Sequence, residues 1–106
     1  MAIPDDFPAF LDAFLAAAVA RDEAFARKTL PPGLPDDHFG FLLAMRASMA
    51  ETIAEQRIQP VLKEAGGVVT ATYTWKEDDG MTTMDLPFYP HDGSWVSYDP
   101  NDPDLA

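Results

Sequence analysis

The sequence predicts an α+β fold: N-terminal helices packed on one face of a curved antiparallel β-meander of three to four strands. Two observations lead there. Apolar residues recur at helical spacing through the front half. The back half carries three turn dipeptides, Gly66-Gly67, Asp79-Gly80 and Asp92-Gly93, spaced thirteen residues apart. Each dipeptide readily takes the positive backbone angles of a two-residue hairpin loop. Helices followed by a meander, each with one apolar face, pack as two layers.

The first helix is expected over about 5–21, where Phe7, Phe10, Leu11, Phe14, Leu15 and Ala18 form one apolar stripe. Asp22 interrupts that stripe and suits the N-cap of a short second helix over 22–29, with Glu23 in its first turn. Leu30-Pro31-Pro32-Gly33-Leu34-Pro35 cannot stay helical and reads as a connector. Asp36 or Asp37 then caps a third helix over 36–56, with Leu42, Met45, Met49 and Ile53 along one side.

Strands are expected over about 57–64, 68–76, 81–90 and 94–98. A loop at Asp79-Gly80 sets Trp75 opposite Met84, Tyr73 opposite Leu86 and Ala71 opposite Phe88, which makes one face apolar and the other mostly polar. The Gly66-Gly67 turn sets Leu62 opposite Ala71, Pro60 opposite Tyr73 and Ile58 opposite Trp75, choosing the same inward face. Pro60 cannot donate to a ladder and restricts the first segment to an edge strand. A short helix from Pro60 to Gly66 is the rival reading there. A two-residue loop at Asp92-Gly93 turns Trp95 inward beside Pro90, whereas a bulged three-residue loop turns Val96 and Tyr98 inward. Burying Trp95 removes the larger apolar area from water, so the first is preferred.

A chain of 106 residues with 47% hydrophobic and 11% aromatic content can bury one core, so 1–106 is read as a single domain with an acidic tail at 99–106. No stretch approaches the roughly 20 apolar residues of a membrane span. Asp5 and Asp6 near the N-terminus argue against a secretory signal. The absence of cysteine excludes disulfides, thiolate metal sites and cysteine nucleophiles. A cytoplasmic protein of bacterial type is the expected setting. Eighteen acidic against seven basic residues give a net charge of −11. From Ala71 onward there are eight acids and a single base, Lys76. A field of that sign opposes nucleic acid and anionic membranes and favours a cationic partner.

The helix order, the Arg21-Asp22-Glu23 junction, the threonine-rich segment Val69-Thr70-Ala71-Thr72-Tyr73 and the ending Asp92-Gly93-Ser94-Trp95 resemble small members of the NTF2-like and cystatin-like superfamily. The resemblance implies a curved antiparallel sheet wrapped around a long helix as a cone. It leaves open an isomerase or dehydratase, a ligand binder, a partner-binding module and an immunity protein, and it implies that the sheet can dimerise. Ser97 departs from the pattern, standing where such strands carry an apolar residue.

Candidate residues follow. His38 beside Asp36 and Asp37 superficially offers a base with an orienting carboxylate, but an exposed helix start explains the trio. His91 flanks a turn, and Asp85 points outward in the register above. No catalytic residue is assigned. Asp99, Asn101, Asp102 and Asp104 make an oxygen-rich tail, yet Asp104 occupies the glycine position of a calcium loop, so no metal is expected. Nor is a cofactor, since no phosphate loop or nucleophile elbow is present. Tyr73, Trp75, Phe88 and Trp95 face inward and either fill the core or line a ligand cavity. Tyr89, Val96 and Tyr98 are candidates for an exposed partner-binding patch, and Glu77, Asp78 and Asp79 for contact with a cationic partner. The leading expectation is a non-enzymatic module that binds a protein or an apolar ligand. The alternatives are an acidic antagonist of a cationic protein and an isomerase or dehydratase.

Overall fold

The computed structural model describes residues 3–102 and has three helices followed by a four-stranded antiparallel sheet, which is open rather than closed. The helices are α1 (Phe7–Ala20), α2 (Glu23–Thr29) and α3 (Asp36–Gln56), and the strands are β1 (Val61–Ala65), β2 (Val68–Glu77), β3 (Gly80–His91) and β4 (Ser94–Val96). The sheet runs in the order β1-β2-β3-β4, as a meander requires.

Helix α1 lies on the sheet because its phenylalanines surround Phe88 of β3. Edge-on contacts join Phe88 to Phe7 at 5.5 Å, to Phe10 at 5.6 Å and to Phe14 at 5.1 Å between ring centroids. Such pairs add about 0.5–1.5 kcal/mol each beyond their burial. Val69, Ala71, Tyr73 and Trp95 complete this core from the sheet, with Leu11 and Ile53 from the helices. A second cluster of Ala26, Leu30 and Phe39 joins α2 and the connector to α3.

Both long helices end in the same way. Arg21 and Arg57 take left-handed backbone angles, with φ of 55° and 52°. The N–H of Asp22 donates to the Ala17 carbonyl at 2.9 Å, and that of Ile58 donates to the Ile53 carbonyl at 3.0 Å. These are the six-to-one bonds of a Schellman ending, and Ile58 packs back on the core beside Ile53. At the start of α2, Asp22 Oδ1 accepts from the Phe25 N–H at 3.1 Å, as an N-cap should.

Several expectations need correction. Helix α1 begins at Phe7 rather than Asp5, its first N–H donating to the Pro4 carbonyl at 3.1 Å. Pro35, not an aspartate, holds the N-cap position of α3, and Asp37 Oδ1 accepts from the His38 N–H at 2.9 Å instead. The buried row of α3 is Phe39, Ala47, Ala50 and Ile53, whereas Met45 is 54% exposed. Small residues there let α3 approach α1 closely, and Met45 is left toward the helix edge while Met49 still packs against the core.

The first strand starts at Val61, not at residue 57, because the Schellman ending uses the Ile58 N–H and Pro60 has none. Leu62 does face Ala71, but Pro60 and Ile58 have no strand partners. The β2–β3 register differs by two residues from the expected one: Tyr73 faces Met84, Ala71 faces Leu86 and Trp75 faces Thr82. The turn is centred on Asp78-Asp79, and of its residues Gly80 alone has a positive φ, at 139°. A two-residue shift leaves every side chain on its expected face, since the pleat repeats every two residues. The third turn is as expected, with Asp92 and Gly93 at φ of 50° and 77° and Trp95 opposite Pro90.

Strand β4 is shorter than 94–98. At Ser97 the chain leaves β3, and its N–H donates to the Thr29 carbonyl at the end of α2, at 2.9 Å. Asp99 to Asp102 form a turn in which Asp99 Oδ1 accepts from the Asn101 N–H at 2.9 Å. Asp104 lies outside the described residues.

Candidate functional site

A cleft of about 300 Å³ opens between α3 and β3. Helical spacing places Leu42, Met45, Arg46 and Met49 on one side of α3, at offsets of three and four residues. The period-two pleat places Met84, Leu86 and Phe88 on the facing side of β3. Phe14, Leu30, Pro87 and Ser97 complete the lining. Beyond Met45, Met49 and Met84, which it shares, the groove continues for about 450 Å³ to Ser48, Thr52, Gln56, Trp75 and Glu77.

Among the described residues, Arg46 is the single ionisable side chain lining the cleft. Its Nη1 donates to Thr29 Oγ1 at 2.7 Å and its Nη2 to Ser97 Oγ at 2.6 Å. The hydroxyls are themselves held, Ser97 Oγ donating to the Thr29 carbonyl at 2.7 Å and Thr29 Oγ1 to the Ala26 carbonyl at 3.2 Å. The guanidinium lies 4.7 Å from the centre of the Phe14 ring. Burial lowers its pKa to about 10, so it stays cationic at neutral pH. Among the described residues, no carboxylate stands within ion-pairing distance of it.

The four inward aromatics do not share one cavity. Phe88 walls the cleft and Trp75 lines its continuation. Tyr73 instead borders a groove of about 570 Å³ on the other side of α1, near Asp12, Arg57 and Pro60. It is fully buried, its hydroxyl has no hydrogen-bond partner among the described residues, and burial followed by the Asp12 charge pushes its pKa up to about 12. Trp95 stacks edge-on against Phe7 at 5.1 Å and donates from Nε1 to Asp6 Oδ2 at 3.3 Å. It borders a depression near α2, together with Arg27, Lys28 and Tyr98.

The expected outer patch is not assembled. Val96 is 3% exposed, because the end of β4 folds under α2 instead of standing free on the sheet. Tyr89 and Tyr98 are half-buried. The outer sheet face is mostly polar, with Thr72 donating to Asp85 Oδ1 at 2.7 Å and Thr74 bonded to Thr83 at 3.2 Å, although Val61 and Met81 are exposed toward its ends. Glu77, Asp78 and Asp79 are exposed together at the β2–β3 turn, and a bond from Trp75 Nε1 at 3.0 Å holds the Glu77 carboxyl below its usual range. His38 is exposed, and His91 Nε2 stands 3.3 Å from Asp92 Oδ2 at the surface. Among the described residues no three His, Asp or Glu side chains gather as metal ligands would. Among the described residues no helix is long and apolar enough to cross a membrane.

The sequence pattern sets Leu42, Met45, Met49 and Ile53 along one side of α3 and passes over Arg46 among them; Met49 does pack against the core while Met45 is exposed. The available signal was a lone arginine amid Leu42, Met45 and Met49 on one helix side. No family model, curated protein or solved structure matches the chain.

Proposed function

We propose that this protein is a small binding module that holds an apolar guest in the cleft between α3 and β3. The observation that carries the reading is the lining: Leu42, Met45, Met49, Met84 and Leu86 around about 300 Å³ of space open to solvent. That volume lies at the lower end of ligand sites, and such sites are mostly apolar with few polar groups. Methionine suits the task, because its unbranched, polarisable chain adapts to guests of different shape. The sequence resemblance to NTF2-like and cystatin-like domains, which include ligand binders, supports the same reading.

The test uses Nile red, an uncharged dye whose emission rises in apolar surroundings. Saturable enhancement is expected with the natural protein. Met49→Trp fills the cleft and should abolish the enhancement while thermal unfolding stays cooperative. Unsaturable dye binding, or equal binding to a folded Met49→Trp variant, overturns the reading.

A further inference from the structure

Burying an arginine in an apolar cleft is costly unless its charge is answered. Arg46 has five N–H donors, and two of them are taken, by Thr29 and Ser97. Both partners are neutral hydroxyls. They hold the guanidinium in place without cancelling its charge, and the aromatic face of Phe14 offers only a partial counterpart. The carbonyl end of α2 also faces it through Thr29, which helps to hold a cation there. None of these supplies a formal negative charge. In a chain of net charge −11, the only ionisable residue lining the cleft among the described residues is thus a cation with no described carboxylate beside it.

We infer that the cleft takes an apolar monocarboxylate, its hydrocarbon part among Met45, Met49, Met84 and Leu86 and its carboxylate on Arg46. This rests on the apolar-guest reading above and adds the chemistry of the guest's polar end. A planar guanidinium matches a carboxylate and binds it through charge-assisted hydrogen bonds, which are roughly twice as strong as neutral ones. Thr29 and Ser97 fix the arginine beforehand, so little side-chain freedom is lost on binding. The acidic surface repels free anions in bulk, so the site favours guests whose apolar part contributes most of the affinity. A small hydrophilic anion such as acetate gains no foothold there.

The experiment compares decanoate with decanol, two ligands with the same chain and different ends, by calorimetric titration of the natural protein and of Arg46→Met. For the natural protein decanoate should bind at least tenfold more tightly than decanol, and added NaCl should weaken decanoate alone. In Arg46→Met the preference should vanish while decanol binding persists, which a merely structural role for the arginine would not produce. Equal binding of the two ligands to the natural protein overturns the carboxylate inference and leaves the apolar-guest reading standing. Binding of neither overturns both. Should Arg46→Met fail to fold, the comparison on the natural protein still decides the matter.

Discussion

At the residue scale, Arg46 and Tyr73 are polar groups of opposite kind set into apolar surroundings. Arg46 is held by two hydroxyls yet uncompensated in charge, whereas Tyr73 is neutral and its hydroxyl has no partner among the described residues. A buried hydroxyl without a partner bears its desolvation cost in full, about 1–3 kcal/mol. Tyr73→Phe keeps the ring that packs in the core and removes the orphan. It should raise stability by up to about 2 kcal/mol in urea unfolding, and a loss of stability would show that the hydroxyl does find a partner. The pH dependence gives a second readout. Folding raises the Tyr73 pKa from 10.0 to about 12, so between those values the folded state holds a proton that the unfolded state has released. Its contribution is complete below pH 10 and is lost as pH rises toward 12, at about 1.4 kcal/mol per pH unit. Tyr73→Phe should remove that slope, as urea midpoints measured across the window would show.

At the element scale, the helix ends explain where strands begin. The Schellman ending of α3 takes the Ile58 N–H for the Ile53 carbonyl, and so the chain cannot pair with β2 until Val61. That ending places Arg57 at a φ of 52°, a conformation that suits glycine and strains a side chain bearing Cβ. Arg57→Gly should therefore stabilise the fold by about 0.5–1 kcal/mol despite the greater freedom of glycine in the unfolded chain. A urea midpoint below that of the natural protein would mean that the arginine side chain contributes more than its strain costs. The turns follow the same logic. Positive φ at both positions gives the tight loops Gly66-Gly67 and Asp92-Gly93, while at Asp78-Asp79 the positive angle falls on the next residue, Gly80.

At the scale of the whole molecule, charge dominates. Eighteen acids meet seven bases, and several acids bond neutral groups: Asp85 accepts from Thr72, Asp22 from the Phe25 N–H and Glu77 from Trp75. Those bonds hold the carboxylates without neutralising them, so the compact state carries self-repulsion. Salt screens that repulsion over about 10 Å at 0.1 M. Raising NaCl from a few millimolar to several tenths molar should stabilise the fold by about 1 kcal/mol, roughly 4–8 °C in Tm. A Tm that falls or stays level would show that the acids are better compensated than their partners indicate.

Local pattern was enough to determine the three helices, the meander order and the inward face of every strand, because helix and strand periodicities are properties of neighbouring residues. That is why a two-residue error in the β2–β3 register left Tyr73 and Phe88 on the correct side. The same short-range logic identified Asp22 as a cap and Trp95 as inward-facing. Contacts between distant segments decided the rest. Whether Met45 is buried or stands exposed along a cleft depends on how closely Ala47 and Ala50 let α3 approach α1. Whether Val96 is exposed depends on Ser97 reaching Thr29, sixty-eight positions away in the chain. Arg46 became a candidate ligand contact only when the fold brought Thr29, Ser97 and Phe14 around it and left a carboxylate out. Periodicity sets which way a side chain points, but what it meets there is set by the packing of whole elements.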